Sequence, residues 1–185
     1  SGSAAFTVML WVRPNSLAPV ATGPLVEVTG SGGGVWRIDY TTSGTVTFDT
    51  TSHGGAGDPA TNSATAAFTA IDLAHGKRVL YRYTGSQWVV WTGSRTGGIV
   101  KKTINASVTF TLPTIAGGAT SLAIDASANQ FDGALAEVGV YNVALSDADC
   151  ELMLRGVACD QIGGGSLQAY WPIRGTTSPE PDYIG

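Results

Sequence analysis

Charge is scarce in this chain. Asp, Glu, Lys and Arg together make up 13% of its 185 residues, about half the ~25% usual in soluble proteins. Lys77, Lys101 and Lys102 are the only lysines; the seven arginines are scattered and the net charge is −4. A nucleic-acid-binding face needs clustered cations to displace counterions from phosphates, so nucleic acid is not an expected partner. Long apolar runs are lacking too. None approaches the ~20 residues that span a bilayer, so membrane insertion is not expected. Residues 1–6 carry no basic stretch ahead of an apolar core and no initiator Met, which sets the expectation of a processed chain or a piece of a larger assembly.

Chemistry-bearing residues are few. The two cysteines, Cys150 and Cys159, are too few for a disulfide scaffold, and no ligand-spaced histidines accompany them as a zinc site would require. A buried thiol plus a loop thiol is the simple reading, a short local bridge the other. The two histidines, His53 and His75, each precede glycine in a turn context, and no Gly-x-Ser-x-Gly elbow is present. The glycine run at 30–34 leads into a strand and lacks a following lysine, so it reads as a turn and not a phosphate cradle. Asn105-Ala106-Ser107 is a formal glycosylation sequon and is read as a chance match.

What the chain has is glycine, 25 residues of it, with Ser, Thr and Ala around many short apolar runs. A helical protein would carry more Leu, Glu and Lys. In Phe6-Thr7-Val8-Met9-Leu10-Trp11-Val12-Arg13, closed by Pro14, the residues Phe6, Val8, Leu10 and Val12 share one face at period two, which predicts a strand. Similar runs fall at 25–28, 35–40, 45–49, 78–83, 88–91, 99–102, 108–112, 121–124 and 134–141, with Gly-rich punctuation between them. That spacing predicts an all-β sandwich or barrel. A chain of this length buries enough surface for a core without a metal or disulfide staple.

One helix is specified near 147–155. Ser146 caps it, Asp149 completes the box, Leu145 staples onto Cys150, and Gly156 stops it after Arg155. A last strand, Leu167-Gln168-Ala169-Tyr170-Trp171-Pro172-Ile173, belongs at a sheet edge because Pro172 cannot donate to a ladder. Residues 1–173 therefore read as one domain and 174–185 as an extended C-terminal arm suited to pairing with a neighbour's sheet edge. The longest irregular stretch, 50–66, is a candidate binding loop.

Three stretches stand out: Phe6-Thr7-Val8-Met9-Leu10-Trp11-Val12-Arg13-Pro14; Arg78-Val79-Leu80-Tyr81-Arg82-Tyr83-Thr84-Gly85-Ser86-Gln87-Trp88; and Phe131-Asp132-Gly133-Ala134-Leu135-Ala136-Glu137-Val138-Gly139-Val140-Tyr141-Asn142-Val143-Ala144-Leu145-Ser146. Together they resemble the laminin-G-like, concanavalin A-like jelly-roll superfamily. The third, similar to a closing strand and helix start of that family, is the most specific. The resemblance covers about residues 5–155 and implies a two-sheet antiparallel jelly roll. The tail, Leu167 to Pro172 with Ser178-Pro179-Glu180-Pro181-Asp182, looks like that of laminin-G-like bacteriophage proteins. That resemblance implies a virion surface location, as a head decoration or fibre protein, with other copies of the chain or a capsid or tail lattice as partners. One departure is Ala136, where the family often has Asp directly before the Glu, so no role of that Asp is carried over.

The family fold also invites glycoside hydrolysis, which needs two carboxyl groups flanking one bond about 5–10 Å apart. The glutamates are only Glu27, Glu137, Glu151 and Glu180. None begins a Glu-x-Asp-x-x-Glu strand, and Asp132 lies at odd spacing from Glu137, on the opposite face of a regular strand. The expectation is a non-enzymatic protein. Related modules bind calcium, which takes six to eight oxygens. No cofactor is required by this reading; Ca²⁺ is the candidate, with Asp58 and Asn62 in one loop and Asp125, Asn129 and Asp132 in another as ligands, the second set slightly preferred.

Sugar binding uses aromatics that stack on pyranose faces, with amides and carboxylates beside them. The candidates are Trp36, Tyr40 and Trp88, together with His53, Asp58 and Asn62 of the irregular stretch. Trp36 and Tyr40 share parity with Ile38, whereas Trp88 and Trp91 lie on opposite faces. Tyr81 and Tyr83 align with Val79 on the inside, which leaves Arg78 and Arg82 on the other face, expected in solvent. The functional expectation is a virion surface protein touching host glycans. The alternative is a glycan-binding adhesin module at a bacterial cell surface, and a hydrolase is third.

Overall fold

The computed structural model describes residues 5–29, 35–49, 65–94, 98–104, 121–124 and 131–173. Two antiparallel sheets form the expected jelly-roll sandwich. The first holds β1 (Phe6–Pro14), β6 (Lys77–Tyr83), β7 (Trp88–Ser94), β8 (Gly98–Ile104), β10 (Gly133–Tyr141) and β11 (Leu167–Trp171), in the order β11-β10-β1-β6-β7-β8. The second holds β2 (Gly23–Thr29), β3 (Val35–Tyr40), β4 (Thr45–Asp49), β5 (Thr65–Ala67) and β9 (Ser121–Ile124), in the order β5-β4-β3-β2-β9. Strand β11 takes the edge that Pro172 predicts. The 108–112 run lies outside the described residues, as does the arm 174–185.

The core between the sheets follows from strand parity. Phe6, Val8, Leu10 and Val12 point inward from β1 and meet Ile38, Tyr40, Val46 and Phe48 of the facing sheet. Trp88 sits among Phe48, Tyr83 and Phe6, with ring centroids 4.8, 5.1 and 5.4 Å away. The Tyr81 hydroxyl reaches across to donate to the Val46 carbonyl at 2.9 Å, so the one polar atom of that buried ring is satisfied.

A second core lies on the opposite face of the six-stranded sheet. Met9, Leu80, Val89 and Trp91 are covered there by α2 (Asp147–Arg155) and by the chain running through Cys159 and Ile162. Helix α2 begins and ends where its caps predict. Ser146 Oγ accepts from the Asp149 amide at 3.2 Å, and Gly156 takes φ +111° while its N–H bonds back to Leu152 and Met153. Leu145 and Cys150 are both buried in this second core, consistent with a staple. Both cysteines are free thiols and both are buried, Cys150 in α2 and Cys159 in the segment that follows it, with no local bridge between them.

Two features escape a pattern reading. Helix α1 (Ala70–His75) is only six residues long, held by Asp72, whose Oδ2 accepts from the Thr69 amide at 2.8 Å and from Lys77 Nζ at 2.7 Å. Strand β10 bulges opposite β1, where Met9 pairs with Gly139 but Trp11 pairs with Ala136. Glu137, in the bulge, adopts φ +54°, a conformation uncommon for a residue with a side chain. Its carboxylate accepts from the Tyr170 hydroxyl at 2.7 Å.

Candidate functional site

The second face is only partly covered by α2. Successive rows run across the strands there. Met9, Leu80, Trp91 and Lys101 form one row; Trp11, Arg78, Gly93 and Ile99 form the next. Above them a cleft of about 980 Å³ is lined by both indoles, by Arg78 and Lys101, by His75 and Gly76 at the end of α1, and by Asp147, Glu151 and Arg155 of α2.

Two glycines shape this cleft. A Cβ on Gly93 would stand 2.9 Å from Leu154 Cβ, so its absence lets α2 approach the sheet. Gly76 has φ +71°, and a Cβ there would come within 2.3 Å of the Trp11 ring. The bare backbone of Gly76 is what allows that indole its position beside the cleft.

Electrostatics divide the lining into paired and unpaired charge. Asp147 accepts from Lys101 Nζ at 2.5 Å and from Arg82 Nη1 at 2.7 Å. These hydrogen bonds, Lys101's first and Arg82's second, hold its carboxyl below the usual range. Both cations also flank Trp91, Lys101 Nζ at 4.8 Å and Arg82 at 5.8 Å from the ring centroid. Glu151 faces Arg155 at 3.8 Å. Arg78 has no hydrogen-bond or ion-pair partner among the described residues, and its Nε is sealed from solvent. Trp91 Nε1 is likewise buried without an acceptor. A buried donor left unmade costs about 1–3 kcal/mol, and both residues belong to the lining of the cleft.

A laminin-G-type family model, described as the concanavalin A-like lectin/glucanases superfamily, matches residues 1–150. The chain belongs to this superfamily. No curated protein sequence matches it. Among solved structures, the concanavalin A-like fold recurs in a proposed carbohydrate-binding protein from Bacteroides ovatus, at 12% identity and a TM-score of 0.57, covering 100% of this chain and 51% of that one. It recurs in full-length tailspike protein 2 of the Escherichia coli O157:H7 bacteriophage CAB120, at 16% identity and a TM-score of 0.56, covering 95% of this chain and 25% of that one. A third match, a receptor binding domain, has 13% identity and a TM-score of 0.51, covering 82% of this chain and 35% of that one. At these identities the likeness is one of fold. The chain spans about a quarter to a half of the length of those proteins.

Within this concanavalin A-like sandwich two of the sequence-predicted site residues lie in the core and several others fall outside the described residues. Trp88 is 0% and Tyr40 2% exposed. Both point between the sheets, which removes them as stacking platforms. The Tyr40 hydroxyl donates to the Ser16 carbonyl at 2.8 Å, and burial, then Asp72, raises its pKa. Trp36 belongs to β3, its backbone opposite Val28. His53, Asp58, Asn62, Asp125 and Asn129 lie outside the described residues. Asp132 is exposed, and its Oδ1 accepts from the Asn15 amide at 2.6 Å. Arg82, expected in solvent, is 8% exposed beneath α2.

Trp11 and Lys101 were not named as site residues by sequence reasoning, and Arg78 was expected in solvent. Their signal was parity: Trp11 falls out of phase with Phe6, Val8, Leu10 and Val12, and Arg78 out of phase with Val79 and Tyr81. Parity assigns a face, but nothing in the sequence says how far α2 covers it.

Proposed function

We propose that this concanavalin A-like chain is a non-enzymatic glycan-binding module on the surface of a virion, in a head or fibre position, and that it binds through the cleft between α2 and the six-stranded sheet. The observation that carries the proposal is the cleft itself, in which Trp11 stands beside the unpaired Arg78, with carboxylates and cations around them. Aromatic faces with a few convergent polar groups are what a sugar site requires. Two proteins that share the fold, a proposed carbohydrate-binding protein and a phage tailspike, support the reading.

Binding without cleavage is supported by how the acids are placed. Asp147 and Glu151 both come from α2, one turn apart, so they do not flank a bond from two sides. Asp147 is moreover held ionised by Lys101 and Arg82, the reverse of a general acid's raised pKa. The experiment is a glycan array probed with the whole chain and with Trp11→Ala. Saturable binding that Trp11→Ala reduces at least tenfold supports the proposal, and binding indifferent to that change sinks it.

A second reading is an adhesin module of a cell-surface protein. Molar mass by light scattering separates the two: a defined oligomer favours the virion role, a stable monomer the adhesin.

A further inference from the structure

Arg78 stands alone in this cleft. The carboxylates near it are committed elsewhere: Asp147 to Lys101 and Arg82, Glu151 to Arg155, and Glu137 to the Tyr170 hydroxyl. Its guanidinium lies beside Gly156, within 3.6 Å of where a Cβ would be, at the C-terminal end of α2. That end offers only about half a negative charge through its carbonyl dipoles. No carboxylate among the described residues makes an ion pair with it. The cleft lining as a whole carries three cations, Arg78, Lys101 and Arg155, against two carboxylates, in a chain whose net charge is −4. A local positive excess in an acidic molecule is a feature of the site and not of the composition.

We propose that the ligand of this cleft is an acidic sugar, a carboxylated pyranose of the uronic or sialic acid type, whose carboxylate docks on Arg78 while its ring lies against Trp11. This rests on the reading of the cleft as a glycan site and names its ligand class. A guanidinium presents donors in a planar fork that matches a carboxylate at two points, as an ammonium does not. Arg78 and Trp11 are direct neighbours across β1 and β6. Strand spacing of about 4.8 Å therefore separates their backbones, comparable to the width of one pyranose ring. Lys101 lies two strands from Arg78 and its charge is shared with Asp147, so it adds field and not a second docking point.

The test is calorimetric titration of the whole chain with four probes: tetragalacturonate, its carboxyl-reduced neutral counterpart, 3′-sialyllactose, and lactose. At least one acidic probe binds tenfold or more tighter than its neutral partner, and which one does so identifies uronate or sialate as the source. Arg78→Gln removes that preference, so that the acidic probe and its neutral partner bind with equal affinity. Arg78→Lys, which keeps charge and volume, restores only part of it and guards against misreading a folding defect. Equal affinity for acidic and neutral probes overturns this inference and leaves the glycan-binding proposal standing. Failure of all four to bind overturns both.

Discussion

Arg82 Nη1 lies 2.7 Å from Asp147 Oδ1 and 2.7 Å from the Leu145 carbonyl oxygen. One buried guanidinium thus ties the first turn of α2 to the middle of the six-stranded sheet. The cleft wall depends on that tie, because α2 carries Asp147, Glu151 and Arg155 into the lining.

Asp147→Asn leaves Arg82 with a carbonyl but no counter-charge. The carboxylate is half exposed, so the expected loss is modest, about 0.5–2 kcal/mol. The folded state lowers the carboxyl pKa. Its stabilisation is therefore complete above the unfolded value near ~3.9 and disappears as pH falls through the lower folded value. Thermal melts of the two proteins from pH 7 to pH 2 check this, with the stability difference shrinking only in the acid limb.

Trp88→Ala empties the centre of the aromatic cluster and costs about 3–5 kcal/mol. Denaturant melts are expected to show that loss, and glycan affinity measured on the remaining folded fraction is unchanged. A selective loss of binding without loss of stability would return Trp88 to the site.

Cys150 and Cys159 are pushed up to about 11 and about 12, in both cases chiefly by burial. Raised thiol pKa values keep the folded protein in the neutral form, so their contribution is intact below the unfolded value near ~8.5 and is lost as pH climbs through the folded values. Thiol labelling at pH 8 is expected to be slow in the native protein and rapid in denaturant, because the thiolate is the reactive species. Rapid native labelling of either residue would contradict the buried placement.

Gly139→Ala sets a Cβ 2.6 Å from Cys159 Sγ, in the second core, where neither partner has room to retreat. The expected destabilisation is about 1–3 kcal/mol, read from denaturant midpoints. An unchanged midpoint would mean that the segment around Cys159 moves aside.

Much of this architecture was legible in the residues. The alternation of Phe6, Val8, Leu10 and Val12 fixed β1, and Ser146 with Gly156 bracketed α2, because period and capping chemistry are local. Thr69 and Asp72 carried the cap signal for α1 as well, but six residues are too few for periodicity to show. The site was not legible. Trp88, Tyr40 and Trp91 are all aromatic residues on strands, and parity separates Trp88 from Trp91 without saying which face stays wet. Here the facing sheet buries one face of the six-stranded sheet and α2 covers the part of the other face that holds Trp91, which is 3% exposed as well. The uncovered strip holding Trp11 and Arg78 is set by where α2 ends, a tertiary fact.

The most direct test of the cleft as the binding site is a ¹⁵N chemical-shift titration of the whole chain with the best-bound glycan. The expected result is movement of the Trp11 and Trp91 indole N–H signals, with the backbone amides of Gly76 to Arg78 and Ile99 to Lys101. Shifts confined to the outer face of the five-stranded sheet, around Glu27, Arg37 and Thr47, with the two indoles unmoved, would contradict it.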